Sequence, residues 1–331
     1  MLSEAELVSV TRIWDKAEYN SFTDLARFDG KWYCTFRESD AHELGRDGVI
    51  RVIVSADGRQ WESAALLCQE GLDLRDPKIS VTSDGRLMVR TDACLYRDGA
   101  QVTRDSRVSF SEDGRIFGPL QIQEFDISGE HRTDGHRLWR VSWHRDRAYG
   151  ASALLNPSRI ILCESADGLH WKGIARLAIP DEIRDGRPVP VNPSETTVRV
   201  LDDGVMLALV RQAWIGTSPP PYADWQWHKI VDARGHPPAP PHTCTIGGPN
   251  FIQLPDGGLW GSGRQYHRPD GKRTVLARMT RTHYEPVLTL PSGGDSSYAG
   301  MIWHEELLWM SYYSAHEGGP YIYLAMTRIK P

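Results

Sequence analysis

One short motif recurs along the chain at nearly constant spacing, and that repetition restricts the fold more than any other feature. It reads Ser55-Ala56-Asp57-Gly58-Arg59-Gln60-Trp61, then Ser111-Glu112-Asp113-Gly114-Arg115-Ile116-Phe117, then Ser165-Ala166-Asp167-Gly168-Leu169-His170-Trp171, with the serines 56 and 54 residues apart. Each copy encodes a hairpin turn. Asp and Ser accept from turn N–H groups, Gly takes a positive φ, and the aromatic plugs the turn onto the sheet. A second series of turns interleaves with the first: Asp29-Gly30, Asp84-Gly85, Arg145-Asp146, Asp203-Gly204, Asp256-Gly257 and Glu305-Glu306, each followed by an apolar run. Six hairpins at this spacing predict an all-β chain, a six-bladed β-propeller of four-stranded antiparallel blades with 1–331 as a single domain. The regular spacing disfavours the alternative, a β-sandwich with extensions. Glu6–Trp14 is expected to pair beside Tyr321–Ile329 and close the last blade. Regions 124–137 and 215–246 read as long loops, which on a propeller usually shape the binding face.

Repeat architectures exceed the usual size of one domain, so 331 residues suit a core shared out between repeats. The net charge of −5 offers no general attraction for nucleic acid or an anionic membrane, and any bound anion needs a local basic cluster. Cys34, Cys68, Cys94, Cys163 and Cys244 are odd in number, far apart and without a C-x-x-C pair. They read as buried reduced thiols rather than a disulfide frame or zinc site. The N-terminus shows no signal-peptide pattern and no apolar stretch approaches a membrane span, so a cytoplasmic location is expected for the chain as written. His42, His144, His242, His267 and His316 are scattered with no metal-ligand spacing, and no cofactor or metal is expected.

The segment before each turn of the second series should line the axis. This places Asp24, Asp76, Arg140, Glu195, Asn250 and Tyr298 around one mouth, as polar groups of a site would be. Phase adds a second grouping. Arg37, Arg211 and Arg264 each follow the turn glycine of their blade by seven residues, so all three are expected in one pocket, where guanidiniums suit a carboxylate.

These motifs resemble the sialidase superfamily over most of the chain. The S-x-D-G-x-x-aromatic copies look like Asp boxes shortened by one residue. Ser194-Glu195-Thr-Thr-Val through Arg211 resembles the segment carrying the catalytic Glu and an arginine of the triad. Asp295-Ser-Ser-Tyr298-Ala-Gly resembles the one carrying the nucleophilic Tyr, with Arg264 where the third arginine falls. The resemblance implies a retaining exo-glycosidase acting on a terminal sialic acid or related 2-keto acid sugar. Tyr298 would be its nucleophile, Glu195 its base, and Asp47 its general acid on a closing loop, with Asp24 and Asp76 as rivals. A Tyr–Glu couple is neutral before attack, which suits an anomeric centre bearing a carboxylate, and sialidases are the Tyr-nucleophile exception among retaining glycosidases.

The chain departs from the family in blade one, where Phe22-Thr23-Asp24-Leu25 stands for the expected Arg-Ile-Pro. Arg37, Arg75 or Arg140 would have to supply the missing arginine. Two alternatives follow: a glycosidase or lyase for another sugar on the same scaffold, and a non-catalytic carbohydrate-binding propeller. Each takes a glycan or glycoconjugate as its partner and leaves the oligomeric state open.

Overall fold

The computed structural model describes residues 5–330 except 128–129, 133–134, 156–157, 185–186, 190–193, 212–213, 231–245 and 267. Every regular element among them is a strand. Blade one runs outward through Tyr19–Phe28, Lys31–Ser39, Val49–Ser55 and Glu62–Leu67. Blades two to six begin with the inner strands Asp73–Val81, His136–His144, Thr196–Val200, Gly247–Gln253 and Ser296–His304. These six strands neighbour one another in a closed ring, which makes the sheets a six-bladed propeller. The last blade is completed by Ala5–Trp14 paired antiparallel to Tyr321–Ile329, the closure expected from the sequence.

The core is divided as a repeat requires. Six apolar clusters form, one at each junction between neighbouring blades. The S-x-D-G turns help to make three of these junctions. They join the third strand to the outer strand in blades one, two and three, with near-identical geometry. The N–H of Gly58, Gly114 and Gly168 donates to the serine Oγ at 2.9 Å, and the next N–H donates to the aspartate Oδ1 at 2.8 Å. Gly58 has φ +74, and a Cβ there would lie 2.6 Å from the Trp309 ring of blade six, so both backbone and packing demand glycine.

Two expectations change. The stretch after Glu124 is not all loop: Glu124–Ile127 and Glu130–Arg132 add to the sheet of blade three, making it six-stranded. Likewise Trp214–Ser218 and Gln226–Lys229 are the outer strands of blade four, paired through a register that the Pro- and Trp-rich composition concealed. Cys34, Cys94 and Cys163 are buried free thiols, but Cys68 is exposed, and Cys244 lies outside the described residues.

Antiparallel connectivity gives the molecule two unlike faces. The turns of both series share one face. The starts of the inner strands and the connections between second and third strands share the other. There, five inner strands carry a bulge at the same point, between Ser21 and Asp24, Arg75 and Lys78, Leu138 and Val141, Gly247 and Asn250, and Ser297 and Gly300. A bulge breaks the two-residue alternation and re-aims the side chains it contains. Phe22 (φ 63), Asp76 (φ 50) and Tyr298 (φ 56) adopt left-handed backbone within these bulges. Such strain in non-glycine residues concentrates at functional sites.

Candidate active site

Tyr298 sits in the bulge of blade six, 5% exposed, with its ring against Phe22, Trp139 and Tyr313 at centroid distances of 5.1, 5.3 and 5.8 Å. Its hydroxyl donates to Glu195 Oε1 at 2.7 Å. Glu195 enters from the start of the inner strand of blade four and is 1% exposed. Arg211 Nη1 donates to the same oxygen at 2.5 Å, and the Gly248 N–H donates to Oε2 at 2.8 Å. Gly248 has φ +60, and a Cβ on it would lie 2.8 Å from Tyr298 Cδ2, so glycine is needed for the carboxylate and the phenol to meet.

The electrostatics set the two partners apart. Burial pushes the Glu195 carboxyl up, but the Arg211 and Arg137 guanidiniums outweigh it and hold the group below its ordinary value, hence ionised. Burial, then the neighbouring Glu195 and Asp76 charges, push the Tyr298 phenol well above its ordinary value. The resting pair is therefore a neutral phenol bonded to an ionised carboxylate.

Around this pair lies a network that the sequence did not foretell. Asp76 Oδ2 accepts from Arg137 at 2.7 Å and Arg104 at 2.9 Å. Asp92 pairs with Arg90, Arg104 and Arg137. Despite burial, these cations hold both carboxyls below their ordinary range. Arg264 bonds Asp295 Oδ1 at 2.5 Å and lies over the rings of Tyr266 and Tyr298. Asp295 also accepts from Tyr313 at 2.9 Å and Tyr19 at 2.6 Å, and it meets His42 at 3.0 Å.

Of the three arginines expected in one pocket, Arg211 and Arg264 meet at Tyr266, the first 3.3 Å from its hydroxyl and the second over its ring. Arg37 is fully buried and spent on Asp73 Oδ1 at 2.7 Å and on the carbonyls of Leu74 and Ala41. The bulge after Ser21 shifts the pairing of its strand, so phase alone could not reveal the partner. Arg75 likewise holds Asp73, at 3.2 Å, and the His42 carbonyl, at 2.7 Å. Asp24 and Arg140, read as substrate ligands, close on each other through two 2.6 Å bonds. The Leu25 and Ile79 N–H groups complete the Asp24 shell. Asp47 is exposed in the blade-one loop and makes no hydrogen bond or ion pair among the described residues. Asn250 supports the backbone, donating to the Ala299 carbonyl at 2.9 Å.

Among the described residues, no group of three or more His, Cys, Asp and Glu side chains is placed to hold a metal ion. His242 and His267 lie outside those residues, and His316 bonds Ser314. A surface hollow lined by Gly257, Trp260, Arg278 and Arg281 lies beside a turn on the opposite face and holds neither carboxylate nor phenol.

Solved structures share this architecture. A protein of unknown function from Dyadobacter fermentans DSM 18053 superposes with a TM-score of 0.79 at 18% identity, covering 99% of this chain and all of that one. The α-L-arabinofuranosidase of Fusarium graminearum, solved with an iminosugar inhibitor, gives 0.70 at 12% identity, over 97% of this chain and 98% of its own. A mutant Trypanosoma rangeli sialidase displaying trans-sialidase activity gives 0.66 at 11% identity, over 97% of this chain and 58% of its own. No family model matches the chain, and no curated protein does either. At these identities the likeness is one of fold.

Proposed function

We propose that the protein is a retaining, exo-acting glycoside hydrolase in which Tyr298 attacks the anomeric carbon and Glu195 takes the phenolic proton. The observation that carries this reading is the buried 2.7 Å bond from the Tyr298 hydroxyl to an ionised Glu195 at the mouth of the propeller. A phenol needs such a base, because its ordinary pKa of about 10 leaves it a poor nucleophile near neutrality. A carbohydrate-binding propeller has no need of a strained Tyr held against a carboxylate. The fold shared with an arabinofuranosidase and a sialidase agrees with glycoside chemistry at this place.

The arrangement favours a terminal sugar without a carboxylate. Each arginine that an acid-sugar clamp would use is matched to a carboxylate of the chain: Arg37 to Asp73, Arg211 to Glu195 and Arg264 to Asp295. Phe22, against Tyr298, stands where the family places its first arginine. One observation favours a second reading, an anionic sugar: among the described residues, the four guanidiniums of Arg90, Arg104, Arg137 and Arg211 face three carboxylates, Asp76, Asp92 and Glu195. Aryl glycosides of neutral and acid sugars decide between the two by which is hydrolysed. Tyr298→Phe should abolish turnover of the substrate that is found, with the melting temperature little changed. Full activity in that variant, or product of inverted configuration, would overturn the nucleophile assignment.

A further inference from the structure

The Tyr298–Glu195 couple does not itself supply a proton to the departing oxygen, and the expected donors are badly placed to do so. Asp24 is saturated by Arg140 and two backbone N–H groups, and Asp76 is held ionised by Arg137 and Arg104. Asp47 stands in solvent, and no described residue orients it. We propose that His42 is the general acid and base of this site, and that Asp295 and Tyr19 are the positioning residues that hold its ring. The inference rests on the glycosidase reading above.

The geometry is that of an oriented imidazole. His42 Nδ1 lies 3.0 Å from Asp295 Oδ2 and 3.0 Å from the Tyr19 hydroxyl, which itself donates to Asp295 Oδ2 at 2.6 Å. Asp295 has lost its proton: burial would raise it, but the bonds from His42 and Tyr19 and the charge of Arg264 hold it well below the carboxylate range. A bare Nδ1 lone pair would face that anion, so the proton sits on Nδ1 and Nε2 is left for exchange. No described residue hydrogen-bonds Nε2, and the side chain is 45% exposed. The ring packs edge-on to Phe22 at 5.4 Å, and Phe22 lies against Tyr298, so the imidazole stands one ring away from the nucleophile. The loop that carries it is pinned. Arg37 holds the Ala41 carbonyl at 2.8 Å and Arg75 the His42 carbonyl at 2.7 Å. Two arginines that the sequence assigned to substrate thus fix the acid instead.

The reaction balances. With both ring nitrogens protonated, Nε2–H gives its proton to the glycosidic oxygen as the C1–O bond breaks. The Tyr298 oxygen bonds C1 meanwhile, and its own proton passes to Glu195. In the second half, neutral His42 takes a proton from water as that water attacks C1, and Tyr298 leaves with the proton returned by Glu195. Microscopic reversibility gives one residue both roles.

The test measures kcat/KM, which reports the first bond cleavage, for wild type, His42→Gln and Asp295→Asn on one sugar with leaving groups from dinitrophenol to methanol. His42→Gln should lose about 10²–10⁴-fold on the methyl glycoside and little on the dinitrophenyl one, which needs no acid. Asp295→Asn should shift the same way by a smaller factor. A residue that served only structure would lower every substrate alike. Equal losses across the series, or none, overturn the role of His42 while leaving Tyr298 and Glu195 in place. No turnover of any glycoside by wild type overturns the glycosidase reading, and this inference with it.

Discussion

Asp24, on the inner strand of blade one, and Glu195, just before that of the opposite blade four, are carboxylates each 1% exposed, yet they are built for different ends. Asp24 receives both its side-chain bonds from one Arg140 nitrogen and two more from backbone N–H groups. None of these donors gives up a proton near neutrality, so the pair is closed. Glu195 also receives an arginine and a backbone N–H, but its remaining donor is a phenol on a strained residue. Equal burial therefore says nothing of role. The difference lies in whether any donor can part with its proton.

Glu195→Gln should sharpen the contrast most on the catalytic side. The amide can still accept a hydrogen bond but cannot take up the phenolic proton, so kcat/KM should fall by about 10²–10⁴-fold with the fold retained. A variant that kept wild-type activity would place Glu195 in the same class as Asp24.

Asp24→Ala tests the other side. Removing one member of a buried ion pair leaves Arg140 unpaired in the centre of the ring, a loss of about 3–5 kcal/mol in unfolding free energy. Denaturant unfolding should show it, and activity measured well below the new midpoint should survive. A stable but inactive Asp24→Ala protein would break the comparison and bring Asp24 into the chemistry.

Much of this contrast could be read in the sequence, and the part that could not has a definite cause. The turn motifs report local backbone chemistry, so the blades, the six inner strands and the closing strand follow from spacing. Glu195 and Tyr298 came from segment resemblance. Their pairing with each other came with it, but the charged partners around them did not, because these cross between blades: Arg137 reaches Asp76 over 61 residues. The bulges hid the rest by shifting side-chain phase without any signature in composition. One usable signal was left unread. The position seven residues past the turn, applied beyond the arginines, also selects Asp92 after Gly85 and Tyr313 after Glu306, and both belong to the network around the site.

Lys78 lies between the two regions, and its removal should have the smallest effect. Its ammonium is buried over the rings of Trp139 and Tyr298 at 4.3 and 5.5 Å, and it donates to the Pro77 carbonyl at 2.9 Å. Burial, then repulsion by Arg140, pushes its pKa down to about 7, while Asp76 and Asp24 pull the other way. The two aromatic faces also favour the charged form. The sign follows from linkage. The folded value lies below the unfolded one, near 10.4, so between the two the unfolded chain binds the extra proton. The cost of keeping Lys78 buried is complete below about pH 7 and fades as pH rises toward 10. Lys78→Met carries no such cost but loses the cation–π contacts, which offset it by roughly 1–2 kcal/mol. The variant should therefore be more stable than wild type near pH 7, and the gap should close as pH approaches 10, the upper limit set by the buried tyrosines. Parallel stability curves across that window would mean that Lys78 stays charged throughout. It would then be a permanent counter-charge to Asp24 and Asp76, on the closed side of the comparison.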